Sequence, residues 1–392
     1  MCLSPVEQYA GSNNDGKGGT MITALRRLLD LRRRAALGEE LPGYGHLRCL
    51  LTPLIALAFF TLQPRQWWLA LAFVAATFLI DLNAEHSPWE KRQPPVDRDG
   101  KLFDALLYLL FVIYWVNFAL ALRMVADVGW VSIQAPAALV LVVLSSSLMA
   151  IAAHELIHRR GAREQWMGRL LLCSFFFEHF STEHLRTHHA RVATADDPAT
   201  ARFGEAFWPY LLRNLPAQFV SAWRLGSARC KDRGPSMLRP TGNPVLQGLL
   251  VEAALLGTVS ALFGWRGLAL LLLNAAAVVV IVHAVSYFQH WGLERDGAPP
   301  GVHSWDTANR SNLFSMFGMA RHADHHLHPN RPYHLLRYVE GSPKLPRAYG
   351  GMIWLAVVNN AEFQQRMEAA LRALNTPLRT SAESERSSWS AR

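Results

Sequence analysis

Long apolar runs alternate with polar segments along the chain, and their lengths predict membrane-spanning helices. A helix that crosses a bilayer needs roughly 17–25 mostly apolar residues. Six runs meet or approach that length: Cys49–Leu62, Trp67–Ala84, Leu102–Leu122, Val131–Ala153, Leu246–Phe263 and Gly267–Phe288. The last four are the clearest. The pattern therefore predicts an all-α integral membrane protein with six spans, and it disfavours a soluble helical protein with buried helices.

The distribution of basic residues predicts how these helices are oriented. Of the 39 Lys and Arg residues, 36 fall on one side of the six predicted spans and 3 on the other. Positive residues concentrate in cytoplasmic loops. We therefore expect both termini in the cytoplasm and very short exterior connections.

Composition and segment boundaries complete this picture. The net charge of +9 is typical of nucleic-acid-binding proteins, but the cations flank apolar runs in a chain that is 51% hydrophobic. A membrane explains them better, and no nucleic-acid partner is expected. We predict three segments: a cytoplasmic, partly disordered segment 1–45 with an amphipathic helix ("MITALRRLLDLRRR"), a membrane domain 46–340, and a cytoplasmic region 341–392 with a disordered tail.

Histidines crowd four segments at the predicted cytoplasmic ends of the helices: "HELIHRR", "STEHLRTHH", "YFQHWGLER" and "ARHADHHLH". Several pairs are four residues apart, so both members project from one helix face. Neutral imidazole is the commonest metal ligand, and nine imidazoles exceed what one metal coordinates. Two metals are therefore predicted, although imidazole suits iron, zinc, copper and nickel alike. The predicted ligands are His154, His158, His184, His188, His189, His290, His322, His325 and His326.

The segment "HELIH" allows a second interpretation. HExxH on a helix is typical of zinc proteases, in which Glu155 would act as the general base. A protease has no need of the other histidine segments, so we favour a larger metal centre. A non-redox metal carrier is a further alternative.

The histidine segments resemble the bacterial membrane alkane 1-monooxygenase family, within the membrane fatty acid desaturase and hydroxylase superfamily. The matching text is "HELIH", "HFSTEHLRTHHARVATADDPATAR", "QHWGLER" and "ARHADHHLHPNRPYHLLR". The resemblance covers roughly Leu102 to Arg337, and its wording is closer to this family than to desaturases. It implies six helices, two iron ions forming a non-haem diiron site, the nine ligands named above and an inner (cytoplasmic) membrane location.

Two positions depart from the family, which usually has Glu where this chain has Gln289 and His283. Groups next to metal ligands orient them and tune the metal, so these departures leave the exact substrate or outcome open. A fatty-acyl desaturase or oxidative decarboxylase of the same superfamily remains the alternative. The residues expected to contact or tune the ligands are Glu155, His179, Glu183, Asp197, His283, Gln289 and Asp324.

The resemblance also implies the reaction and its partners. Hydroxylation of an unactivated C–H bond needs O₂ activated by reduced iron, because no side chain is a strong enough oxidant. An apolar alkyl substrate would enter from the bilayer. The chain shows no flavin, haem or iron–sulfur motif, so electrons are expected from rubredoxin and rubredoxin reductase. Basic residues such as Arg224, Arg229, Lys231 and Arg233 are either a docking surface for that carrier or plain positive-inside bias, which we favour.

Overall fold

The computed structural model describes residues 40–62, 91–96, 98–231, 242–295 and 303–375, with single positions at 68, 72 and 75. Within these ranges the protein is helical, with two isolated β-bridges and no strand. The main helices are α1 (Leu51–Leu62), α2 (Lys101–Val128), α3 (Gln134–Ile157), α4 (Ala162–Cys173), α5 (Phe207–Lys231), α6 (Pro244–His290), α7 (His322–Leu327), α8 (Tyr349–Val357) and α9 (Asn360–Asn375). Shorter helical turns are Gly43–Leu50, Phe180–Glu183, His184–His188, His189–Arg191, Arg310–Ser315, Met319–Arg321 and Tyr333–Leu335.

Four helical stretches are long and apolar enough to cross a membrane. They are Gly43–Leu62, which comprises a 3₁₀ turn and α1, together with α2, α3 and α6. Their outward faces are apolar as well: Leu102, Leu109 and Val112 of α2 are all exposed, while Leu106, Leu107 and Leu110 are buried in the core. A helix that is hydrophobic on every side belongs in a bilayer, and the protein is therefore a membrane protein.

Helix α6 reverses direction at Gly264. Glu252 near its start accepts a hydrogen bond from the Glu178 amide at 3.3 Å, and the ring of His283 lies 5.2 Å from that of Phe177. In a straight helix these two residues of α6 would be about 46 Å apart, yet they contact consecutive residues. Gly264 has φ 61° and ψ −163°, outside the helical region. Helix α6 is thus a hairpin of two apolar arms, which correspond to the predicted runs Leu246–Phe263 and Gly267–Phe288.

The Gly264 turn lies at the same end of the bundle as the loop between α2 and α3. Arg266 donates to the Ala126 carbonyl at 3.0 Å, and Trp130 donates to the Arg266 carbonyl at 3.2 Å. From there α3 and the second arm of α6 each run about 35 Å before reaching their histidines. The histidine-bearing ends therefore meet at the opposite end of the bundle.

Two hydrophobic cores hold this arrangement. The first joins α1, α2, α3 and α6 inside the bundle. The second packs the last turns of α6 against α8 and α9, with Tyr287, Phe288, Tyr349 and Phe363 buried together. Residues beyond 341 are thus packed against the histidine-bearing end of α6.

Some sequence predictions fall outside the described residues. They are the amphipathic segment near the N-terminus, nearly all of Trp67–Ala84, Arg233 and the tail after residue 375.

Candidate metal centre

Five of the predicted ligands form one group around a common point. The Nε2 atom of His184 lies 2.8 Å from that of His154, 3.0 Å from that of His158 and 3.0 Å from that of His189. The ring of His325 packs 4.6 Å from that of His154. One nitrogen from each residue lies within 4.8 Å of all the others. The first group consists of His154, His158, His184, His189 and His325.

The other four predicted ligands form a second group beside the first. The Nε2 atom of His322 lies 3.2 Å from that of His290 and 3.1 Å from that of His326. The rings of His188 and His290 are 4.8 Å apart. The second group consists of His188, His290, His322 and His326. The structure therefore brings all nine predicted residues together, divided five and four.

Neighbouring histidines divide between the groups, because residues 184–188 form one turn of π-helix. The wider π turn places residues five apart on the same face, so His184 and His189 share the first group while His188 reaches the second. The spacing of four seen in the sequence suggested that His184 and His188 act together. Their rings do stack 5.1 Å apart, but their nitrogens belong to different groups.

Burial favours the neutral form of five of these imidazoles. Burial, and then the charge that neighbouring imidazoles would carry, lowers the pKa of His184, His189, His322, His325 and His326 well below its ordinary value. A neutral imidazole has a free nitrogen lone pair, and metal ligation requires that form.

Two histidines of the second group, His188 and His290, make a contact through Nδ1 that sets which ring nitrogen carries the proton. The Nδ1 atom of His188 donates to Asp197 Oδ2 at 2.9 Å, and Nδ1 of His290 contacts the His303 carbonyl at 3.4 Å. Burial alone would lower the pKa of His188, but the Asp197 carboxylate outweighs it and raises that pKa. Because Nδ1 holds the proton, Nε2 faces the group as a lone pair. A carboxylate behind a histidine is the usual support of a metal ligand.

The carboxylates of Glu155 and Asp324 tie chain segments together. Glu155 Oε1 pairs with Arg159 at 2.9 Å and accepts the Tyr333 amide at 3.2 Å. Asp324 pairs with Arg331 and accepts the Arg337 amide at 2.8 Å. Glu155 thus fastens the C-terminal histidine segment to α3. This engagement disfavours a protease, in which the same oxygen would take a proton from water.

The remaining predicted neighbours lie around the groups. Glu183 is completely buried, and burial raises its pKa to about 8. His179 and His283 both pack against the ring of Phe177. Gln289 donates from Nε2 to the Tyr349 hydroxyl at 2.7 Å. Among the seven predicted neighbours, Asp197 is the one whose carboxylate bonds a histidine of either group.

Sequence reasoning missed two residues that position these segments. Arg295 donates from its amide to the Ala193 carbonyl at 2.8 Å and from Nε to the Val192 carbonyl at 2.6 Å, which fixes the end of the His184–His189 segment. Asp306 accepts the Ala323 amide at 2.8 Å, beside His322. Arg295 is the last residue of the "QHWGLER" motif, and that position could have identified it as a candidate from the sequence. No such sequence signal pointed to Asp306.

The donor set fits metal ions. Two nitrogens bound at right angles to one metal, with bonds of about 2.1 Å, lie about 3.0 Å apart. Six Nε2–Nε2 pairs within the two groups lie 2.8–3.2 Å apart. Several ring nitrogens on these histidines, including His325 Nε2, have no partner among the described residues. The arrangement can therefore hold two cations side by side through neutral nitrogen ligands.

Comparisons with known proteins support this picture. Residues 129–356 match the family model for fatty acid desaturases. The chain is 30% identical to an alkane 1-monooxygenase of Ectopseudomonas oleovorans, over 76% of this chain and 75% of that protein. It is 31% identical to alkane 1-monooxygenase 1 of Alcanivorax borkumensis, over 78% of each chain. A third relative, alkane 1-monooxygenase 1 of Pseudomonas aeruginosa, is 34% identical, and the match spans 56% of its length.

Proposed function

Because the chain belongs to the alkane 1-monooxygenase family, within the fatty acid desaturases, we propose that it hydroxylates alkanes or alkyl chains at a non-haem diiron centre. It is an oxidoreductase that takes O₂ and external electrons. The observation that carries the proposal is the division of nine histidines into two adjacent groups, each with converging nitrogens.

The geometry of the groups favours iron over zinc. Protein zinc sites are usually tetrahedral with four ligands, which separates ligand nitrogens by about 3.4 Å for bonds of about 2.1 Å. The first group has five histidines, and four of its Nε2–Nε2 pairs lie 2.8–3.2 Å apart. Higher coordination with near right angles suits iron better. We therefore propose two iron ions, one in each group.

The chain's own residues hold, orient and enclose this centre. Eight of the nine histidines are buried and one is half-buried, so water is largely excluded. Asp197 keeps the proton of His188 on Nδ1. When bound, reduced iron with open coordination positions supplies the O₂ chemistry that side chains cannot. The groups lie at one end of an apolar bundle, so an alkyl chain in the bilayer can approach endwise without crossing water.

The electron donor is proposed to be a rubredoxin-type carrier fed by a reductase. Such carriers are small and acidic, and complementary charge speeds their encounter with a partner. Arg224 and Arg229 lie exposed on the last turns of α5. The positive-inside bias of membrane proteins accounts for the same residues, so docking there is the weaker part of the proposal.

We also propose six spans, an inner-membrane location and cytoplasmic termini. Support comes from the two arms of α6, which count as two spans, and from the 36-to-3 division of basic residues. Two connections in the described part of the chain lie at the far end from the histidines, at residues 129–133 and 264–266, and both are short.

A turnover experiment tests the proposed function. The protein, purified anaerobically, should contain near two irons per chain and little zinc. With a reduced rubredoxin system and a mixture of alkanes and fatty acids, it should release alcohols, identified by mass. Alkenes as the main product would instead favour the desaturase or decarboxylase alternative. An active preparation with one zinc and no iron would refute the diiron centre.

A further inference from the structure

One buried chain of hydrogen bonds links the second histidine group to the C-terminal helices. Gln289 donates from Nε2 to the Tyr349 hydroxyl at 2.7 Å, and that hydroxyl donates to the Met319 carbonyl at 2.8 Å. Gln289 immediately precedes His290, and Met319 lies three residues before His322. The side chain of Tyr349 is 0% exposed and Gln289 is 3% exposed. Two of the three segments that supply the second group therefore meet at one tyrosine hydroxyl.

The same C-terminal stretch holds the His322 segment at a second point. Asp306 accepts the Ala323 amide through Oδ1 at 2.8 Å and the Ser342 hydroxyl through Oδ2 at 2.8 Å. The Leu345 amide donates to the Asp306 carbonyl at 2.8 Å. Residues 342–349 thus fasten the chain on both sides of His322, without touching the histidines themselves.

The polarity of the first link follows from the number of hydrogens. A tyrosine hydroxyl has one hydrogen, and Tyr349 uses it on the Met319 carbonyl, which can only accept. The hydroxyl oxygen of Tyr349 can therefore only accept a hydrogen bond from the residue at position 289. Gln supplies an N–H there, whereas an ionised Glu at this position could only accept and would compete for the same hydrogen.

We propose that Gln289 and Tyr349 are positioning residues that set the relative placement of His290 and His322, and that position 289 in this chain requires a hydrogen-bond donor. The inference rests on the proposed function, since it concerns the metal of the second group. The amide of Gln289 is matched by the hydroxyl of Tyr349 and its carbonyl partner. No histidine of the first group takes part in these links, although His325 lies on α7 with His322.

Four variants of the full chain in detergent test the proposal. Tyr349→Phe removes the shared hydroxyl, Gln289→Glu removes the donor and adds a charge, and Gln289→Met removes the donor without a charge. Tyr114→Phe is the matched control, because it deletes another buried hydroxyl, bonded to Ser174 at 2.7 Å in the first hydrophobic core. Each protein is loaded with Fe²⁺ anaerobically and titrated with a chelator while the retained iron is counted. The same proteins are loaded with Co²⁺ for visible spectra, and their thermal unfolding midpoints are recorded.

Wild type and Tyr114→Phe should retain two irons with the same chelator profile. The three variants at positions 289 and 349 should release one iron at roughly 10–100-fold lower chelator activity, the usual effect of removing a group that supports a ligand. Their other iron should stay bound. In the Co²⁺ spectra, the absorption from the metal of the second group should change, and that from the first group should not. The unfolding midpoint of the 289 variants should stay near that of wild type.

Several outcomes would overturn the proposal. Unchanged retention of both irons in all three variants would remove the positioning role. Normal behaviour of Gln289→Met alone would show that the charge matters and the donor does not. Equal weakening of both irons would mean that the effect is general destabilisation. If wild type and Tyr114→Phe themselves fail to bind two irons, the proposed diiron function fails first, and that result is distinct from the others.

Discussion

At the scale of single residues, adjacent histidines belong to different groups. His188 and His189 are divided in this way, and so are His325 and His326. On a helix, neighbouring side chains point about 100° apart, so one short segment can contribute to two centres that lie side by side. Two metals bound there would be held in a fixed relation by the same short segments of chain.

This division predicts how paired substitutions combine. His325→Ala should lower the iron of the first group alone, and adding His158→Ala should leave the second iron in place. His326→Ala combined with His158→Ala should instead remove both irons, because each group then lacks a ligand. Iron per chain after chelator challenge measures the difference. Equal iron loss in the two double variants would show that the groups do not act as separate sites.

Asp197 makes a second prediction at this scale. Asp197→Asn keeps the shape but removes the carboxylate that fixes His188 and its tautomer. We expect metal affinity or activity to fall by about 10–100-fold. The neighbouring Asp196 is exposed, so Asp196→Asn is the matched control and should behave as wild type. Chelator competition on both variants gives the ratio. Similar affinities for the two variants would argue against a role for Asp197 in holding the metal.

At the scale of elements, α6 folds back on itself as a hairpin of two apolar arms, and its second arm brings His290 to the second group. Gly264 occupies a backbone region, φ 61° and ψ −163°, that is almost exclusive to glycine. A Cβ at Gly264 would meet nothing within 4 Å, so space does not limit the position. Backbone conformation is therefore the reason for glycine at this turn.

Gly264→Ala should accordingly destabilise the protein by about 1–3 kcal/mol through backbone strain. Gly257 lies in the same helix, has no positive φ and also has open space around its Cα. Gly257→Ala is therefore expected to be neutral or stabilising by up to about 1 kcal/mol. Thermal unfolding in detergent compares the two variants. A Gly264→Ala protein as stable as wild type would mean that α6 does not turn at this residue.

At the scale of the whole molecule, the bundle has two chemically different ends. One end carries the Gly264 turn and the loop after α2, which contact each other through Arg266 and Trp130. The other end carries all nine histidines and most of the polar chain between the helices. A redox centre that takes electrons from a soluble carrier must lie at the face that the carrier reaches, which the charge bias predicts to be cytoplasmic.

Reporter fusions test that orientation. Fusions after Val128 and Trp265 should report the exterior, and fusions after Arg98, Arg229 and Leu374 should report the cytoplasm. A fusion after Arg65 should report the exterior if the first two predicted runs both span. A cytoplasmic signal at Val128 would contradict the six-span arrangement.

The order of residue types along the chain was enough to predict the apolar helices and the candidate metal ligands. Four apolar helices in the structure correspond to five of the predicted runs, because bilayer insertion depends on the transfer free energy of about 20 consecutive residues, which is a local property. The nine candidate ligands were likewise found from residue type and spacing. The turn at Gly264 was located within the short connection between two runs, although the backbone angles that require glycine there were not predictable.

The tertiary structure alone decided how those residues work together. The helical period of 3.6 suggested His184 with His188, but the turn of π-helix at residues 184–188 brings His184 together with His189. His325 joins a group whose other members lie more than 130 residues away in the chain, whereas His326 joins His188, His290 and His322. The link from Gln289 through Tyr349 to Met319 has no sequence signature. Local composition sets which residues can enter a membrane or bind a metal, whereas the meeting of distant side chains is set by how the helices pack.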